Sequence, residues 1–571
     1  MNRRTMLHRC GISAAACWYP SLLSAFQARP ERPPVADERE VDVVIVGGGL
    51  GGCAAALAAT GLGARVLLTE PTDWIGGQLT QQAVPPDENR WIESFAATRS
   101  YRRFREDVRQ YYRDHYPLTP EARRRKDLDP GDGSVSRLCH EPRVALAVLD
   151  RMLAPAVADG RLTIVLETTP VAADVRGDHL RAVCFRTAED RGFTALAKYF
   201  IDASETGDLL PLAGAEYVTG SESKAQTGEP NAGDKPRPAN MQACTWCYAL
   251  EYLPGEDHTI DRPAGYDFWR QYHPELQPPW PDRLLTLWYT HPSSGKPLEL
   301  SFLPPDPAFA DVRTKTLNLW LYRRIIHREN FTPGRFASDI TIVNWPQNDY
   351  LLGNLFENSP AEQAKHREGA RQLSLSLLYW LQTEAPRPDG KTGWPGLRLS
   401  KETVGTEDGL AKYPYIRESR RIQAEFTVLE QHLRTAAGEK IGNIAVAKPF
   451  ADSVGIGHYA LDLHPTTGGD NYFDVGCYPF QIPLGTIIPR RMENLLAGCK
   501  NIGATHITNG AYRLHPIEWN IGEAAGALAA FCLKQGQMPR GVRGEQRLLG
   551  DFQSLLIGNG FELDWSKLAG L

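Results

Sequence analysis

The sequence predicts an α/β fold built on a parallel sheet. An apolar, β-branched run over Val41–Val46 leads directly into the glycine-rich turn 47–52. A stretch of small residues with helical character follows, and a second apolar run over 65–69 ends at Glu70. Strand, glycine turn, helix and strand in this order are typical of the Rossmann-like βαβ unit that binds dinucleotides.

Each glycine of this turn has its own role. Gly47 permits the tight turn, Gly49 lets backbone amides approach a pyrophosphate, and Gly52 allows close packing of helix on strand. The helix N-terminus adds the positive end of its dipole. Glu70 follows Gly47 by 23 residues, close to the roughly 20 residues at which a carboxylate accepts hydrogen bonds from a ribose. We therefore predict a phosphate-binding turn with a ribose-binding acid.

The composition favours a globular protein that acts on small molecules. The chain has 571 residues, 42% of them hydrophobic, which is enough for a packed core in more than one domain. Its formal net charge of −5 gives no basis for binding nucleic acid or an anionic membrane. Its 10 cysteines are too sparse for a disulfide scaffold and form no Cys/His cluster with metal-site spacing. We predict no metal and no nucleic-acid partner.

The first thirty residues are typical of an export signal. Arg3 and Arg4 precede a modestly apolar stretch, Gly11 to Phe26, which Pro20 interrupts. This pattern resembles a twin-arginine signal, and the stretch is shorter than the roughly 20 residues that span a bilayer. We predict that residues 1–30 direct the protein to the periplasm or out of the cell, with no stable membrane anchor.

Later segments indicate which dinucleotide binds. The motif WIGGQLT follows Glu70 and resembles the extended FAD signature of the glutathione-reductase-like flavoproteins. The predicted strand KYFIDA enters DASETGDLLPLAG, and the predicted strand NLLAG leads to NIGATHITNGAYRLHPIEWNIGEAAG. Together these segments resemble the FAD-dependent oxidoreductase family, in its secreted bacterial branch, over about residues 41–531. The resemblance implies an enzyme with FAD as its cofactor.

The same resemblance implies a set of FAD contacts. Val171 follows a predicted strand at 162–166 and would meet the adenine through its backbone. Pro516 starts a predicted helix whose positive end would point at the flavin. The full set of implied contacts is Gly47, Gly49, Gly52, Glu70, Gly77, Gln78, Val171, Asp208, Asn509 and Pro516. No second dinucleotide fingerprint occurs, so we expect electrons to pass to an acceptor other than NAD, such as oxygen, a quinone or a small redox protein.

The remaining chain divides into further units. The middle region is rich in Trp, Tyr and Pro and too long for a loop, so we predict that it forms an inserted, mixed α+β substrate domain. Arginines between Arg99 and Arg113 predict an exposed helix, interpreted as a solvated charged face in preference to an anion-attracting lid. The predicted boundaries are an FAD-binding domain at 41–250 and 484–540, a helical insertion within it at 84–133, a substrate domain at 251–483 and a peripheral tail at 541–571.

Four side chains are candidates for the chemistry. His458 lies in the glycine-flanked loop GIGHYALDLHP and is suited to accept a substrate proton, whereas we interpret His464 of the same loop as structural. Arg513 and His515 precede the predicted C-terminal helix and would lie near the flavin. Arg417 in IRESRRI offers bidentate contacts to a substrate carboxylate.

We therefore predict an oxidoreductase that removes hydride from a small hydroxyl-bearing substrate, with sugar-derived molecules as candidates, and passes electrons to an unidentified acceptor. Two alternatives stay open. Cys244 and Cys247 form a CxxC motif, which would suit thiol–disulfide exchange with the flavin. The chain could also be a non-enzymatic carbohydrate-binding protein with a vestigial flavin fold.

Overall fold

The computed structural model describes residues 37–570, so the export signal predicted at 1–30 lies outside the described residues. The strands in chain order are β1 Glu38–Glu40, β2 Val43–Val46, β3 Val66–Thr69, β4 Leu162–Val165, β5 Thr168–Arg176, β6 His179–Thr187, β7 Gly192–Leu196, β8 Tyr199–Asp202, β9 Tyr217–Val218, β10 Cys244–Thr245, β11 Tyr248–Tyr252, β12 Trp288–Thr290, β13 Pro297–Glu299, β14 Arg324–Ile326, β15 Ile340–Val343, β16 Asp349–Tyr350, β17 Leu397–Leu399, β18 Arg421–Ile422, β19 Ala436–Ile441, β20 Ile444–Ala447, β21 Ser453–Gly457, β22 Leu461–Leu463, β23 Phe473–Val475, β24 Phe480–Pro483 and β25 Leu495–Ala497.

The α-helices are α1 Leu50–Gly61, α2 Arg99–His115, α3 Pro120–Arg124, α4 Pro142–Ala158, α5 Leu209–Ala213, α6 Lys224–Thr227, α7 Tyr266–Gln271, α8 Leu319–Tyr322, α9 Pro360–Thr383, α10 Lys401–Val404, α11 Glu430–Arg434, α12 His506–Tyr512, α13 His515–Gln535, α14 Pro539–Gly544 and α15 Gln546–Gly558. Short 3-10 turns occur at Gly77–Leu79, Pro307–Phe309, Arg328–Asn330, Pro346–Asn348, Leu484–Thr486 and Ser566–Gly570. Within residues 37–570, none of the helices has the length and apolar composition needed to cross a bilayer.

A five-stranded parallel sheet in the order β25-β8-β2-β3-β4 forms the centre of the fold. Val43 of β2 pairs with Val66 of β3 on one side and with Tyr199 of β8 on the other. Every residue of β2 is buried, as in a strand covered on both faces. The predicted α/β class with a central parallel sheet is therefore confirmed, and the segments predicted as strands near 65–69, 162–166, 198–203 and 494–498 all join this sheet.

Helix α13 packs on α1 through glycines. A Cβ at Gly522 would lie 2.0 Å from the carbonyl oxygen of Gly51, and one at Gly526 would lie 2.2 Å from that of Ala55. The two helix backbones can approach this closely only because these positions lack side chains. Pro516 lies in the first turn of α13, as predicted. This crossing brings the C-terminal part of the chain against the glycine turn.

The other sheets lie around the parallel one. Strands β5, β6 and β7, which follow β4 along the chain, form a four-stranded sheet with β1 in the order β1-β7-β6-β5, and a second four-stranded sheet, β14-β15-β11-β17, lies in the middle region. Helix α9 contacts α7 and β16. Buried apolar residues of the central sheet and of the middle region, such as Ile45 and Ile342, belong to one continuous hydrophobic cluster.

The helical insertion is less exposed than predicted, because α2 buries one of its faces. Arg105 and Arg109 are only 2% and 3% exposed. Arg105 donates to Glu88 at 2.8 Å, and Arg109 donates to both oxygens of Glu93 at 2.8 and 3.0 Å. Although burial opposes it, the hydrogen bonds from Arg105 and Arg109 lower the pKa of Glu93 to about 2. These two arginines hold the insertion together and do not form a solvated face.

The C-terminal segment is also packed, so the prediction of a peripheral tail at 541–571 is wrong. Phe552 and Leu556 of α15 are fully buried, four residues apart on one helical face. Trp565 packs against Trp91 with ring centroids 5.3 Å apart, and its indole N–H donates to the Phe480 carbonyl at 2.8 Å. An apolar stripe of this kind needs a partner surface, which the rest of the chain provides.

Candidate active site

A groove runs past the carboxyl ends of β2, β3 and β8, the edge at which parallel α/β sheets bind ligands. We call it the cofactor groove; the glycine turn, Glu70 and the loop after β8 line it. Gly47 has a φ of +100°, and a Cβ there would lie 2.4 Å from the Ala203 carbonyl oxygen. Only glycine fits this position.

Glu70 lies at the end of β3 beside this groove, as its spacing predicts. Its carboxylate accepts hydrogen bonds from the Gly48 N–H at 3.0 Å and from the N–H and hydroxyl of Thr72, both at 2.9 Å. Burial raises the pKa of Glu70 to about 8, and the bonds from Thr72 and Gly48 oppose this rise. Ribose hydroxyls would add donors to the carboxylate and favour its charged form.

The opposite wall of the groove contains Asp208, another predicted contact. Its Oδ1 accepts from the Thr206 hydroxyl at 2.6 Å and from Arg420 at 3.2 Å. The predicted adenine contact at Val171 does not line the groove; residues 168–170 do. The pairing of β5 with β6 is irregular between Pro170 and Ala172, so Val171 falls at a bulge in the strand.

A buried cluster of Lys500, Glu205, Glu518 and Gln78 lies next to the glycine turn. The Lys500 ammonium donates to Glu205 and lies 3.5 Å from Glu518. The Gln78 amide donates to Glu518 and to the Arg513 carbonyl, both at 2.9 Å. One side-chain oxygen of each of Gln78, Glu205 and Glu518 is buried without a hydrogen-bond partner in the described part of the chain.

These unpartnered oxygens indicate where a cofactor could donate hydrogen bonds to the protein. A buried acceptor without a donor normally marks a place that a bound group completes. FAD fits this requirement, because its ribityl chain carries hydroxyl donors and its adenosine half matches Glu70 and the glycine turn. Gln78, which we predicted as an FAD contact, belongs to this cluster and donates to Glu518 in the first turn of α13.

Two other predicted residues near α13 are buried inside the protein. Asn509 in α12 donates its amide to the Arg417 carbonyl at 2.8 Å, and its Oδ1 has no partner within residues 37–570. His515 accepts a hydrogen bond from the Asp87 N–H at its Nδ1, 3.0 Å away, and burial holds its pKa well below the usual value. His515 is fully buried, so the prediction of a catalytic role for it is not supported.

A cavity of about 370 Å³ opens between residues 87–90, the middle region and the loop 458–474. We call it the aromatic cavity, because rings line much of its wall, among them Tyr289, Tyr322, Trp345, Tyr415, Tyr459 and Tyr472. Arg513, which we predicted to lie near the flavin, lines this cavity. Its guanidinium donates to the Tyr415 hydroxyl at 2.7 Å and to the Asp462 carboxylate at 2.9 Å.

His464 lines the same cavity and is held by a buried acid. Its Nδ1 lies 2.6 Å from Oδ2 of Asp349, and the Tyr472 hydroxyl donates to the same oxygen at 2.7 Å. Because a carboxylate only accepts, Nδ1 carries the hydrogen, and neutral His464 has a free lone pair on Nε2. Nε2 lies 3.8 Å from Asp462. Burial and the charge of Arg417 lower the pKa of His464.

Arg417 belongs to the support of this pair and not to the cavity wall. It is 1% exposed and lies 3.0 Å from Oδ1 of Asp349. Its guanidinium also donates to the Ala243 carbonyl at 2.8 Å, the Thr245 hydroxyl at 2.9 Å and the Asn344 amide oxygen at 3.1 Å. The prediction that Arg417 holds a substrate carboxylate is therefore wrong.

His458 also lines the aromatic cavity, but nothing in the described residues orients its ring by a hydrogen bond. It packs against Trp91 with ring centroids 5.0 Å apart. Burial and the charge of Arg90 lower its pKa to about 4, so it is neutral near pH 7. Of the two histidines in this loop, His464 has the carboxylate partner that a general base requires.

The CxxC motif is buried away from both sites. Cys244 and Cys247 are 6% and 0% exposed, and all cysteines within residues 37–570 are free thiols. Burial raises the pKa of each of the two to about 12. Neither residue lines the cofactor groove or the aromatic cavity. Inert thiols of this kind do not suit dithiol exchange.

Three residues of the cavity region, Asp349, Asp462 and Arg323, were not predicted from the sequence. A signal existed for Asp462, because residues two apart in an extended segment share a face, which aligns it with His464. Asp349 and His464 are 115 residues apart, and no local pattern joins them.

A family model described as FAD dependent oxidoreductase matches residues 42–556. No curated protein matches the chain. Among solved structures, a geranylgeranyl bacteriochlorophyll reductase-like protein from Thermoplasma acidophilum is 10% identical, with coverage of 92% of this chain and 84% of that one and a TM-score of 0.31.

Other solved structures match shorter stretches. The L-proline dehydrogenase from P. horikoshii is 16% identical over 33% of this chain and 24% of its own, with a TM-score of 0.17. The flavin-dependent monooxygenase PieE, in complex with FAD and substrate, is 13% identical over 38% of this chain and 36% of its own, with a TM-score of 0.22. The chain thus spans about a quarter and about a third of the lengths of these two proteins.

The family match covers most of the chain, including the glycine turn, Glu70, Asp208 and the start of α13. The chain belongs to the FAD dependent oxidoreductase family, and it is an enzyme with FAD as its cofactor.

Proposed function

We propose that this oxidoreductase removes hydride from a carbon that bears a hydroxyl group, in a small polar substrate bound in the aromatic cavity. Sugar-derived molecules are the first candidates, because aromatic faces and hydrogen-bonding side chains together suit them. The observation that carries the proposal is the His464–Asp349 pair, 2.6 Å apart, on a cavity wall that also contains Arg513.

His464 acts as the general base in this proposal. The proton of the substrate hydroxyl moves to Nε2, while the hydrogen on Nδ1 stays bonded to Asp349. Although burial opposes it, Arg417 and His464 hold the pKa of Asp349 well below its usual range. Asp349 therefore remains an acceptor throughout, fixes the tautomer of His464 and stabilises the imidazolium that forms.

The bonds balance as an alcohol oxidation. The O–H and C–H bonds of the substrate break, a carbonyl forms, the proton goes to His464 and the hydride leaves with two electrons. FAD, when bound, supplies the acceptor for that hydride. Arg513 and Asp462, which hold each other at 2.9 Å, present a donor and an acceptor to the other polar groups of the substrate.

The reduced enzyme needs an electron acceptor other than NAD. The sequence shows one dinucleotide fingerprint, which the FAD site uses. Oxygen, a quinone or a small redox protein are the candidate classes. The twin-arginine-like segment at 1–30 supports a periplasmic or secreted location, since that export route carries proteins already loaded with cofactor.

The test is anaerobic reduction of the bound flavin. The purified holoenzyme would be mixed with a panel of sugars, hydroxy acids and thiols while the flavin absorbance at about 450 nm is followed. We expect bleaching by a hydroxyl compound, at a rate that falls strongly in His464→Gln. Bleaching by thiols alone, abolished in Cys244→Ser, would support the thiol–disulfide alternative. Ligand binding without bleaching by any compound would support the carbohydrate-binding alternative.

A further inference from the structure

Arg323 is a buried guanidinium without a hydrogen-bond acceptor among the described residues. It follows α8, lines the aromatic cavity and is 7% exposed. Its Nε and one terminal nitrogen are buried without a partner, and the side chain makes no hydrogen bond to any of residues 37–570. The nearest carboxylate oxygen, Oδ2 of Asp87, lies 3.6 Å away, which is too far for a hydrogen bond.

The other buried arginines of this region are satisfied by the protein. Arg324, the next residue, donates to the Gly131 carbonyl at 2.7 Å and to Asp339 at 2.9 Å. Arg417 has an unbonded Nε, but its two terminal nitrogens face the four acceptors described above. Arg513 has one unbonded Nε, but both of its terminal nitrogens donate to protein oxygens. The chain supplies acceptors to buried guanidinium groups elsewhere, so the lack at Arg323 calls for a physical explanation.

A buried charge without hydrogen bonds is costly, and such charges persist where a ligand or solvent completes them. Asp87 faces Arg323 at 3.6 Å without a hydrogen bond, and two other acids that line the cavity have donors of their own. Glu88 accepts from Arg105 at 2.8 Å and from Tyr101 at 2.9 Å, and Asp462 accepts from Arg513. A guanidinium offers a planar fork of N–H groups that matches a carboxylate in bidentate geometry.

We propose that Arg323 binds a carboxylate of the substrate, so that the molecule oxidised in the aromatic cavity is a hydroxy acid. The carboxylate would supply the missing acceptors, and Arg323 would fix the end of the substrate distant from the reacting hydroxyl. The identity of the oxidised group rests on the proposed function, whereas binding of the carboxylate does not.

The experiment compares acids with their uncharged counterparts on the holoenzyme. The probe pairs are glycolate with ethylene glycol, and glucuronate with glucose; binding is followed by calorimetry and by the change in flavin absorbance. In the wild type, we expect at least one acid to bind about tenfold or more tightly than its partner, the scale expected for a charged hydrogen-bonded contact. Arg323→Gln should remove this preference, and Arg323→Lys should restore part of it.

The matched control is Arg328→Gln, which removes the same charge from an exposed position five residues further along the chain. It should leave the acid preference intact. Equal binding of acid and neutral probe in both pairs of the wild type overturns the proposal, and this result needs no variant to fold. The proposal is also overturned if the acid preference survives Arg323→Gln, or if that variant loses its flavin while a folded Arg323→Lys does so too.

The two hypotheses fail in different ways. If an acid binds through Arg323 but no hydroxyl compound reduces the flavin, the carboxylate site stands and the proposed oxidation is wrong. If neutral alcohols reduce the flavin as well as the acids do, the oxidation stands and the role of Arg323 is wrong.

Discussion

The cofactor groove and the aromatic cavity position their key polar side chains in different ways. In the groove, Glu70 accepts from the N–H groups of Gly48 and Thr72. Both partners lie within 22 residues of Glu70, in the glycine turn and directly after β3. In the cavity, His464 is held by Asp349, 115 residues away, and Arg323 lacks protein acceptors within residues 37–570.

This difference separates the region that binds the cofactor from the region that we propose to bind the substrate. A groove whose own loops position its acid can bind the same cofactor whatever surrounds it. A cavity whose base is held by a distant acid depends on the whole fold, and its unbonded Arg323 is where we propose that the substrate binds. The following predictions test this contrast, from the largest expected effect to the smallest.

The packing of α13 on α1 supports both the cofactor groove and the aromatic cavity, so disrupting this packing should impair both sites together. Gly522→Ala places a Cβ 2.0 Å from the Gly51 carbonyl oxygen, where neither backbone can yield freely. We expect the free energy of unfolding to fall by about 1–3 kcal/mol or more, as in overpacked cores, with loss of bound flavin. Thermal unfolding and flavin content would be measured.

The control for this change is Gly550→Ala in α15, where a Cβ would meet no atom within 4 Å. Its expected effect is a gain of about 0.5–1 kcal/mol, because alanine loses less backbone entropy in a helix. Wild-type unfolding and full flavin content in Gly522→Ala would show that the two helices have room to shift.

The aromatic cavity should be sensitive to loss of its base while the groove is not. His464→Gln removes the proton acceptor, so kcat/KM should fall by about 10²–10⁴-fold, the usual contribution of a general base. The Kd for FAD should not change. His115→Gln, on the exposed end of α2, serves as the control. A comparable loss in His458→Gln with none in His464→Gln would reverse the assignment of the two histidines.

Loss of Glu70 should weaken FAD binding and leave the chemical step nearly unchanged, the reverse of the effect expected for His464→Gln. Glu70→Ala removes a carboxylate that would accept ribose hydrogen bonds, and bonds to charged groups contribute about 1.5–3 kcal/mol. We expect FAD affinity to fall by roughly 10–100-fold, measured by fluorescence titration of the apoprotein, with kcat at saturating FAD nearly unchanged. Glu106→Ala, on an exposed side chain, controls for the loss of negative charge. Unchanged FAD affinity would remove Glu70 from the cofactor site.

The pH profile should report the environment of His464. Burial and Arg417 lower its pKa, while Asp349 and Asp462 oppose this, so the base is neutral above the usual value of 6.5. We expect kcat/KM to be constant near neutrality and to fall about tenfold per unit at some pH below 6.5, because an imidazolium cannot accept the proton. Asp462→Asn removes an opposing charge and should move this midpoint to lower pH. An upward movement would contradict the arrangement.

The smallest effect is expected at the CxxC motif. Because both thiols are buried and stay protonated, Cys244→Ser should change kcat/KM for a hydroxyl substrate by less than about twofold. Steady-state kinetics measure this, with Cys247→Ser as the paired variant. A loss greater than tenfold in both would return thiol–disulfide chemistry to consideration.

Several parts of the fold and the site could be predicted because their information is local. Hydrophobic runs and glycine spacing predicted the βαβ unit and the three other strands of its sheet, β4, β8 and β25. A proline at a helix start predicted the helix at Pro516. Predictions that failed in this part of the chain have a physical cause as well. Arg105 and Arg109 read as surface charges, yet Glu88 and Glu93 neutralise them in the interior.

The cavity could not be predicted in the same way. His458 and His464 share one loop and differ mainly in whether a distant acid meets them, and Arg417 and Arg323 differ in whether the protein supplies acceptors. A residue's type states what it can bond to, but not what the fold brings within 3 Å of it.

The sequence by itself therefore determined a dinucleotide-binding groove, since a glycine turn, a strand and an acid at fixed spacing bring their own backbone donors and dipole, and the resemblance of the later motifs to a flavoprotein family implied FAD. Only the tertiary structure decided which histidine has a carboxylate, which arginine faces the aromatic cavity and that the C-terminal segment belongs to the core. Those outcomes depend on burial and on contacts between segments more than a hundred residues apart, and the free energy of such contacts is not encoded in any local pattern.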